Sequence, residues 1–185
     1  MHDHAHAPLL HIVLIHPEIP NNTGNIGRTA AALGCRLHVV HPIGFEMDEK
    51  ARRRASLDYW HLVDCVEHAS FEAFVHSEHL EPRDVETRDS EHEGATRAVR
   101  PQVWLFSSHA SRPYFSATFS RGDYLVFGKE STGLDAATEK FFERRDTTDH
   151  RLTIPMPGST AIRSLNLATA VAIASYEGYR QITRV

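Results

Sequence analysis

Apolar positions gather into short β-branched runs, separated by polar stretches that contain Gly, Pro and Asn. Leu9-Leu10-His11-Ile12-Val13-Leu14-Ile15 reads as a buried strand, because such a run fits a sheet covered on both faces. His16-Pro17-Glu18-Ile19-Pro20-Asn21-Asn22-Thr23-Gly24-Asn25 breaks that pattern with two prolines, an Asn pair and a glycine, so a loop is expected there. From Ile26 to Leu33 the spacing turns helical, and Gly34 suits a C-terminal cap. Leu37 to Val40 is the second expected strand, which makes β-loop-α-β the opening of an α/β domain.

Farther on, Leu62 to Val66 is an irregular strand-like piece, and Ser70 starts a helix with Phe71, Phe74 and Val75 on one face. Val103-Trp104-Leu105-Phe106, Tyr124-Leu125-Val126-Phe127 and the short Arg151 to Ile154 are further strands. A long Ala-rich amphipathic helix is expected from Ser164 to about Arg180. Residues 76–100 carry seven acidic and four basic side chains and almost no large apolar ones, so they read as a polar surface insert. Residues 1–8, with His2, His4 and His6, read as a frayed tail, and residues 9–185 as one domain.

Composition narrows the function classes. The chain has 185 residues, 41% hydrophobic and 24% charged, which is globular composition. Twenty Lys+Arg against 24 Asp+Glu leave a net charge of −4, so any nucleic-acid surface must be local. Cys35 and Cys65 cannot build a disulfide scaffold and show no C-x-x-C spacing. The apolar run at Leu9–Ile15 is too short for a membrane span and is not preceded by a signal peptide, so a cytoplasmic protein without a membrane partner is expected.

Three segments carry candidate chemistry. In Asn21-Asn22-Thr23-Gly24-Asn25-Ile26-Gly27-Arg28, a glycine-containing strand-to-helix turn could receive an anion. Arg28, placed in the first helical turn, is either a snorkelling surface side chain or a grip for an anionic oxygen. Phe127-Gly128-Lys129-Glu130-Ser131-Thr132-Gly133-Leu134 ends a strand where open α/β sheets place ligands, although Gly-x-x-x-x-Gly also describes a tight turn. Ile154-Pro155-Met156 leads through a Pro/Gly loop to Arg163-Ser164-Leu165-Asn166-Leu167, where Ser164 stands as the expected N-cap. Lys50, Arg52, Arg53 and Arg54 form a basic stretch that is either a phosphate grip or a solvated helix face.

In order and spacing these segments, with Gly44-Phe45, Leu57-Asp58-Tyr59 and Tyr176-Glu177, resemble the SPOUT superfamily of RNA methyltransferases. The likeness is closest to the TrmL-like branch, which methylates the wobble ribose of tRNA, and covers roughly residues 10–70 and 102–181. The resemblance implies a parallel sheet with helices on both faces and a C-terminal trefoil knot. It implies S-adenosylmethionine as cofactor, the tRNA anticodon loop as substrate, a homodimer and no metal.

By the same resemblance the cofactor is held by Phe106, Gly128, Glu130, Gly133, Ile154, Met156, Ser164 and Asn166. Glycine at 128 is expected because a Cβ would crowd the ligand. The methyl goes to the 2′-hydroxyl of nucleotide 34, a cytidine or modified uridine. Arg28 would stabilise the developing alkoxide, since a guanidinium with a pKa above about 12 is a poor base. Asn22 or Asn25 would fix Arg28 and the ribose, and Asn25, Glu130, Ser164 and Asn166 complete the catalytic set. Asn22, Arg28, Lys50 and Arg52–Arg54 would meet RNA. The alternatives are a 2′-O-methyltransferase of ribosomal RNA or of another tRNA position, and a non-catalytic RNA-binding protein of the same fold.

Overall fold

The strand β1 (His11–Ile15) is buried at all five positions and lies at the centre of a parallel sheet. Its neighbours are β2 (Arg36–Val40) and β5 (Tyr124–Phe127), with His11 opposite both Arg36 and Tyr124. Outside β2 lies β3 (Cys65–His68); outside β5 lie β4 (Val103–Phe106) and then β6 (Arg151–Leu152). The order is β3-β2-β1-β5-β4-β6, and every pair is parallel. This computed structural model describes residues 7–45, 59–81, 100–145, 150–158 and 160–184.

Two-residue periodicity divides the core between the faces. Leu10, Ile12, Leu14, Leu37, Val39, Leu125 and Phe127 meet Ile26 and Ala30 of α1 (Pro20–Leu33) and Val171 and Ala174 of α4 (Leu167–Thr183). Val13, Ile15, Val40, Val103, Leu105 and Val126 meet Phe74 and Val75 of α2 (Phe71–Ser77) and Phe142 of α3 (Ala136–Arg145). Helices therefore cover both faces, as expected. Gly34 ends α1 at φ +66°, a left-handed cap that glycine adopts without a Cβ clash. Ser70 caps α2 by accepting the Ala73 N–H at 3.2 Å.

The strand assignments hold to within a few residues, with β3 starting three residues later and ending two later than Leu62–Val66. Other elements differ. α1 begins at Pro20, so the stretch expected as loop is helical through Asn25. Proline is tolerated at a first helical position, where its missing N–H would have no intrahelical partner. Arg28 consequently lies in the third turn. α3 was not expected, because Ala136–Arg145 has no clear apolar face. The start of the polar stretch is packed: Leu80 is buried and Glu78 accepts the Tyr124 hydroxyl at 2.7 Å. Residues 82–99, which hold the remainder of it except Arg100, lie outside the described residues, as do the 1–6 tail and Lys50, Arg52, Arg53 and Arg54.

The second face also carries a line of buried imidazoles, one from each of three neighbouring strands. His11 Nδ1 lies 2.8 Å from His38 Nε2, and His38 Nδ1 lies 2.9 Å from His68 Nε2. His68 Nδ1 reaches Ser77 Oγ at 3.3 Å, and that hydroxyl donates to the Phe74 carbonyl at 3.1 Å. Giving its proton to Phe74, Ser77 must accept from His68 Nδ1–H, and the same logic makes Nδ1 the donor in His38 and His11. Among the described residues His11, His38 and Glu78 bring ligand atoms within 4.8 Å of one another, but the imidazole nitrogens nearest Glu78 already serve this chain.

Candidate active site

Parallel strands leave their carbonyl ends pointing one way, and the loops that follow β4, β5 and β6 meet there. They enclose a cleft of about 780 Å³, within the usual range for small-molecule sites. Phe106 and Ser107 come from the end of β4, the Gly128–Leu134 turn from β5, and Leu152, Ile154 and Met156 from β6 and its exit. Arg163 to Leu167 closes the cleft from the start of α4, with Asn22 of α1 beside it. The Phe106 ring stacks on Phe127 at 4.8 Å, giving the floor an aromatic step.

The turn after β5 closes on itself. Lys129 and Gly133 exchange N–H···O=C bonds at 3.0 and 2.9 Å, and Gly133 takes φ +73°. A Cβ on Gly128 would lie 2.1 Å from the Gly133 carbonyl carbon, so glycine at 128 makes room for the turn's own backbone rather than for a ligand. The tight-turn and ligand-loop readings of this segment are therefore compatible.

One carboxylate ties the segments together. Glu130 accepts the N–H groups of Glu18 at 2.8 Å and Ile19 at 3.3 Å, and the Asn22 amide at 3.0 Å. The N-cap residue of α1, Ile19, has no side-chain acceptor of its own, so Glu130 supplies the negative charge that a helix N-terminus favours. Glu18 returns the tie by accepting the Ser131 N–H at 3.0 Å, and hydrogen bonding by Ser131 holds its carboxyl below the usual range.

The network runs on through asparagine amides. Asn22 Oδ1 accepts from Asn166 Nδ2 at 2.9 Å, and Asn166 Oδ1 accepts the N–H groups of Ala168 and Thr169 at 2.9 and 3.3 Å. The N-cap of α4 is thus Asn166, not Ser164. Ser164 is exposed and lines the cleft. Asn166 wins the cap because its amide can serve the helix with one end and Asn22 with the other.

The expected site residues divide into two groups. Phe106, Gly128, Glu130, Gly133, Ile154, Met156, Ser164 and Asn166 line one cleft. Arg28 and Asn25 do not line it; they stand on the exposed side of α1. Asn22, expected to meet Arg28 and RNA, instead faces inward, only 6% exposed, with its amide between Glu130 and Asn166. Arg28 rests its guanidinium 4.4 Å above the Tyr59 ring. The sequence reading missed the role of Glu18, although its place before a helix start was the available signal.

Comparisons with known proteins place this fold among methyltransferases. The model of the SpoU rRNA Methylase family matches residues 9–176. A tRNA (cytidine(34)-2′-O)-methyltransferase from Saccharophagus degradans is 38% identical over 175 residues, covering 94% of this chain and 96% of the relative. A solved structure concerned with 2′-OH methylation of C/U34 on tRNA is 43% identical at a TM-score of 0.73, covering 95% of this chain and 97% of that one. A SpoU methyltransferase from Streptomyces viridochromogenes, solved in complex with the cofactor AdoMet, is 25% identical with a TM-score of 0.69. The match spans 95% of this chain and 61% of that longer protein.

Proposed function

The chain belongs to the SpoU rRNA Methylase family, and we propose that it transfers a methyl group from S-adenosylmethionine to the ribose 2′-hydroxyl of nucleotide 34 of tRNA. The observation that carries this reading is the cleft at the strand ends, closed by the Glu130–Asn22–Asn166 network, in a chain whose relatives are named for that reaction. Its donor set fits the cofactor. Phe106, Leu152, Ile154, Met156 and Leu167 offer apolar surface for a nucleoside base, while the 129–133 backbone and Ser164 offer polar edges. When bound, S-adenosylmethionine supplies an electrophilic methyl group.

This chain's residues do the rest. Glu130, with Asn22 and Asn166, holds the turn after β5, the start of α1 and the start of α4 in one register so that the cleft keeps its shape. Ser164 and Asn166 orient the bound ligand from the α4 side, and Gly133, without a side chain, lets the turn come close to it. Arg28 presents N–H donors to the 2′-oxygen as negative charge develops there, and the proton leaves to a neighbouring phosphate or water. Asn25, one turn earlier on the same exposed side, orients the ribose. Lys50, Arg52, Arg53 and Arg54 grip phosphates of the anticodon loop.

Arg28 and Asn25 lie outside the cleft of their own chain, which fits a homodimer in which each copy's α1 faces the other's cleft. The small residues of α4 permit close helix packing, and Tyr176 is 54% exposed beside them. No metal is needed for the transfer. Among the described residues no helix is long and apolar enough to cross a membrane, and the reading places the enzyme in the cytoplasm with its tRNA. In the same reading residues 9–185 form one methyltransferase domain.

The test is methylation of total tRNA and ribosomal RNA by the purified chain with labelled S-adenosylmethionine, followed by mapping of the modified nucleotide. Label at the 2′-oxygen of nucleotide 34 is expected. Label confined to ribosomal RNA or to another tRNA position would overturn the reading, and binding without transfer would favour an RNA-binding role.

A further inference from the structure

Tyr59 lies immediately before a single 3-10 turn, Trp60–Leu62, on the outer side of α1. Its hydroxyl donates to the Gly24 carbonyl at 2.9 Å, and its ring lies beneath the Arg28 guanidinium, 4.4 Å away. Gly24 and Arg28 are one helical turn apart, so the ring spans that turn and is held at both ends. Between them, a Cβ on Gly27 would fall 2.6 Å from Trp60 Cζ3, so the same turn is seated flush against the helix only because position 27 has no side chain.

This manner of holding an arginine has a chemical consequence. A carboxylate partner occupies guanidinium N–H groups and neutralises the charge, whereas a ring face engages only the π surface and leaves the in-plane donors and the full charge available. An exposed arginine on a helix otherwise samples many rotamers. Resting on a clamped ring restricts that freedom.

We propose that Tyr59 is a positioning residue for Arg28: the clamped ring aims the guanidinium at the reacting oxygen while leaving its donors unspent. This rests on the reading of Arg28 as the group that stabilises the developing alkoxide. Tyr59 itself touches neither substrate nor cofactor in this account, so its removal lowers turnover and leaves S-adenosylmethionine binding unchanged.

The experiment compares single-turnover methyl transfer to tRNA by the wild type, Tyr59→Leu, Tyr59→Phe, Arg28→Ala and the Arg28→Ala/Tyr59→Leu pair. It also follows the Arg28 Nε–Hε NMR resonance, which a ring face shifts upfield. Tyr59→Leu is expected to slow transfer about five- to tenfold, the scale of a cation–π contact. The KM for S-adenosylmethionine should stay unchanged, Tyr59→Phe should recover most of the loss, and the second substitution should cost nothing once Arg28 is gone. Pentafluorophenylalanine at position 59 reverses the ring's charge distribution at nearly constant shape. It should reproduce the leucine loss, and it stands in for leucine should that variant not fold.

An equal loss from Tyr59→Leu with and without Arg28, or full activity with the fluorinated ring, would overturn the proposal. A wild type that leaves nucleotide 34 unmodified but loses the Arg28 upfield shift in Tyr59→Leu would refute the reaction and keep the contact. A wild type without that shift would refute the contact itself.

Discussion

Asn166 donates its amide N–H to the Asn22 side-chain oxygen, Oδ1, at 2.9 Å, across 144 residues of sequence. Because Asn22 spends its own N–H on Glu130, and Asn166 spends its oxygen on the first N–H groups of α4, both side-chain amides have a fixed orientation. The contact thereby couples the starts of two helices that pack on the same face of the sheet.

Two substitutions at 166 separate the cap from the coupling. Asn166→Ala should lose both and destabilise the chain by about 2 kcal/mol, combining a lost cap with an unmet Asn22 oxygen. Asn166→Asp keeps the cap but sets one acceptor against another at Asn22. It should recover about 1 kcal/mol of that loss yet bind S-adenosylmethionine as weakly as alanine does. Urea unfolding and calorimetry of cofactor binding check both outcomes. Equal stability of the two variants would contradict the cap assignment.

Glu130→Gln removes the charge at the start of α1 and replaces one acceptor oxygen by a donor facing backbone N–H groups. The expected result is a loss of about 1–2 kcal/mol in stability, since hydrogen bonds to a charged acceptor outweigh neutral ones. S-adenosylmethionine affinity should fall with it, because the 129–133 turn loses its tie to the Glu18–Asn22 segment. Unchanged affinity would show that the turn holds its shape alone.

Gly27→Ala tests the seat of the 3-10 turn. Alanine raises helix propensity by about 1 kcal/mol, so on local grounds the variant should be more stable. The new Cβ would instead meet Trp60 at 2.6 Å and push the turn away. Methyl transfer should drop while cofactor binding persists, because Gly27 lies outside the cleft. A fully active and more stable variant would mean that Trp60 moves without consequence.

The imidazole line makes stability depend on pH. Burial pushes His11 down to about 4, against an opposing pull from Glu78, and pushes His38 to about 2, with repulsion from His11 and His68 adding to burial. As pH falls below the ordinary value of 6.5, the unfolded chain takes up protons that the folded chain refuses. This contribution is therefore complete above pH 6.5 and is lost progressively as pH falls, to about pH 4 for His11 and on toward pH 2 for His38, at about 1.4 kcal/mol per pH unit for each group. Urea unfolding at pH 7, 6 and 5 should show the loss, and His11→Leu should flatten the slope by about one group's share. An identical slope in His11→Leu would show that His11 is protonated in the folded chain.

The chain alone specified the local pieces. The Leu9–Ile15 run, Val103–Phe106 and Tyr124–Phe127 are too apolar for anything but buried strands, and Gly34 and Ser70 cap their helices with atoms supplied within a few residues. The three candidate segments were legible too, since each carries its glycine or its acid in the sequence, and each sends residues to the one cleft. The tertiary structure decided whatever depends on a partner far along the chain. Pro20-Asn21-Asn22-Thr23-Gly24 looks like a turn, yet it is helix, and a carboxylate more than a hundred residues later holds the two N–H groups just before it and the Asn22 amide. Ser164 and Asn166 are equally good caps by local rule, and Asn166 takes the place with Asn22 on the neighbouring helix to accept its amide. Three histidines on separate strands form one buried line only because the parallel register sets them side by side. Propensity and capping act over one or two turns, whereas hydrogen-bond satisfaction in a closed interior acts between whichever groups the fold brings together.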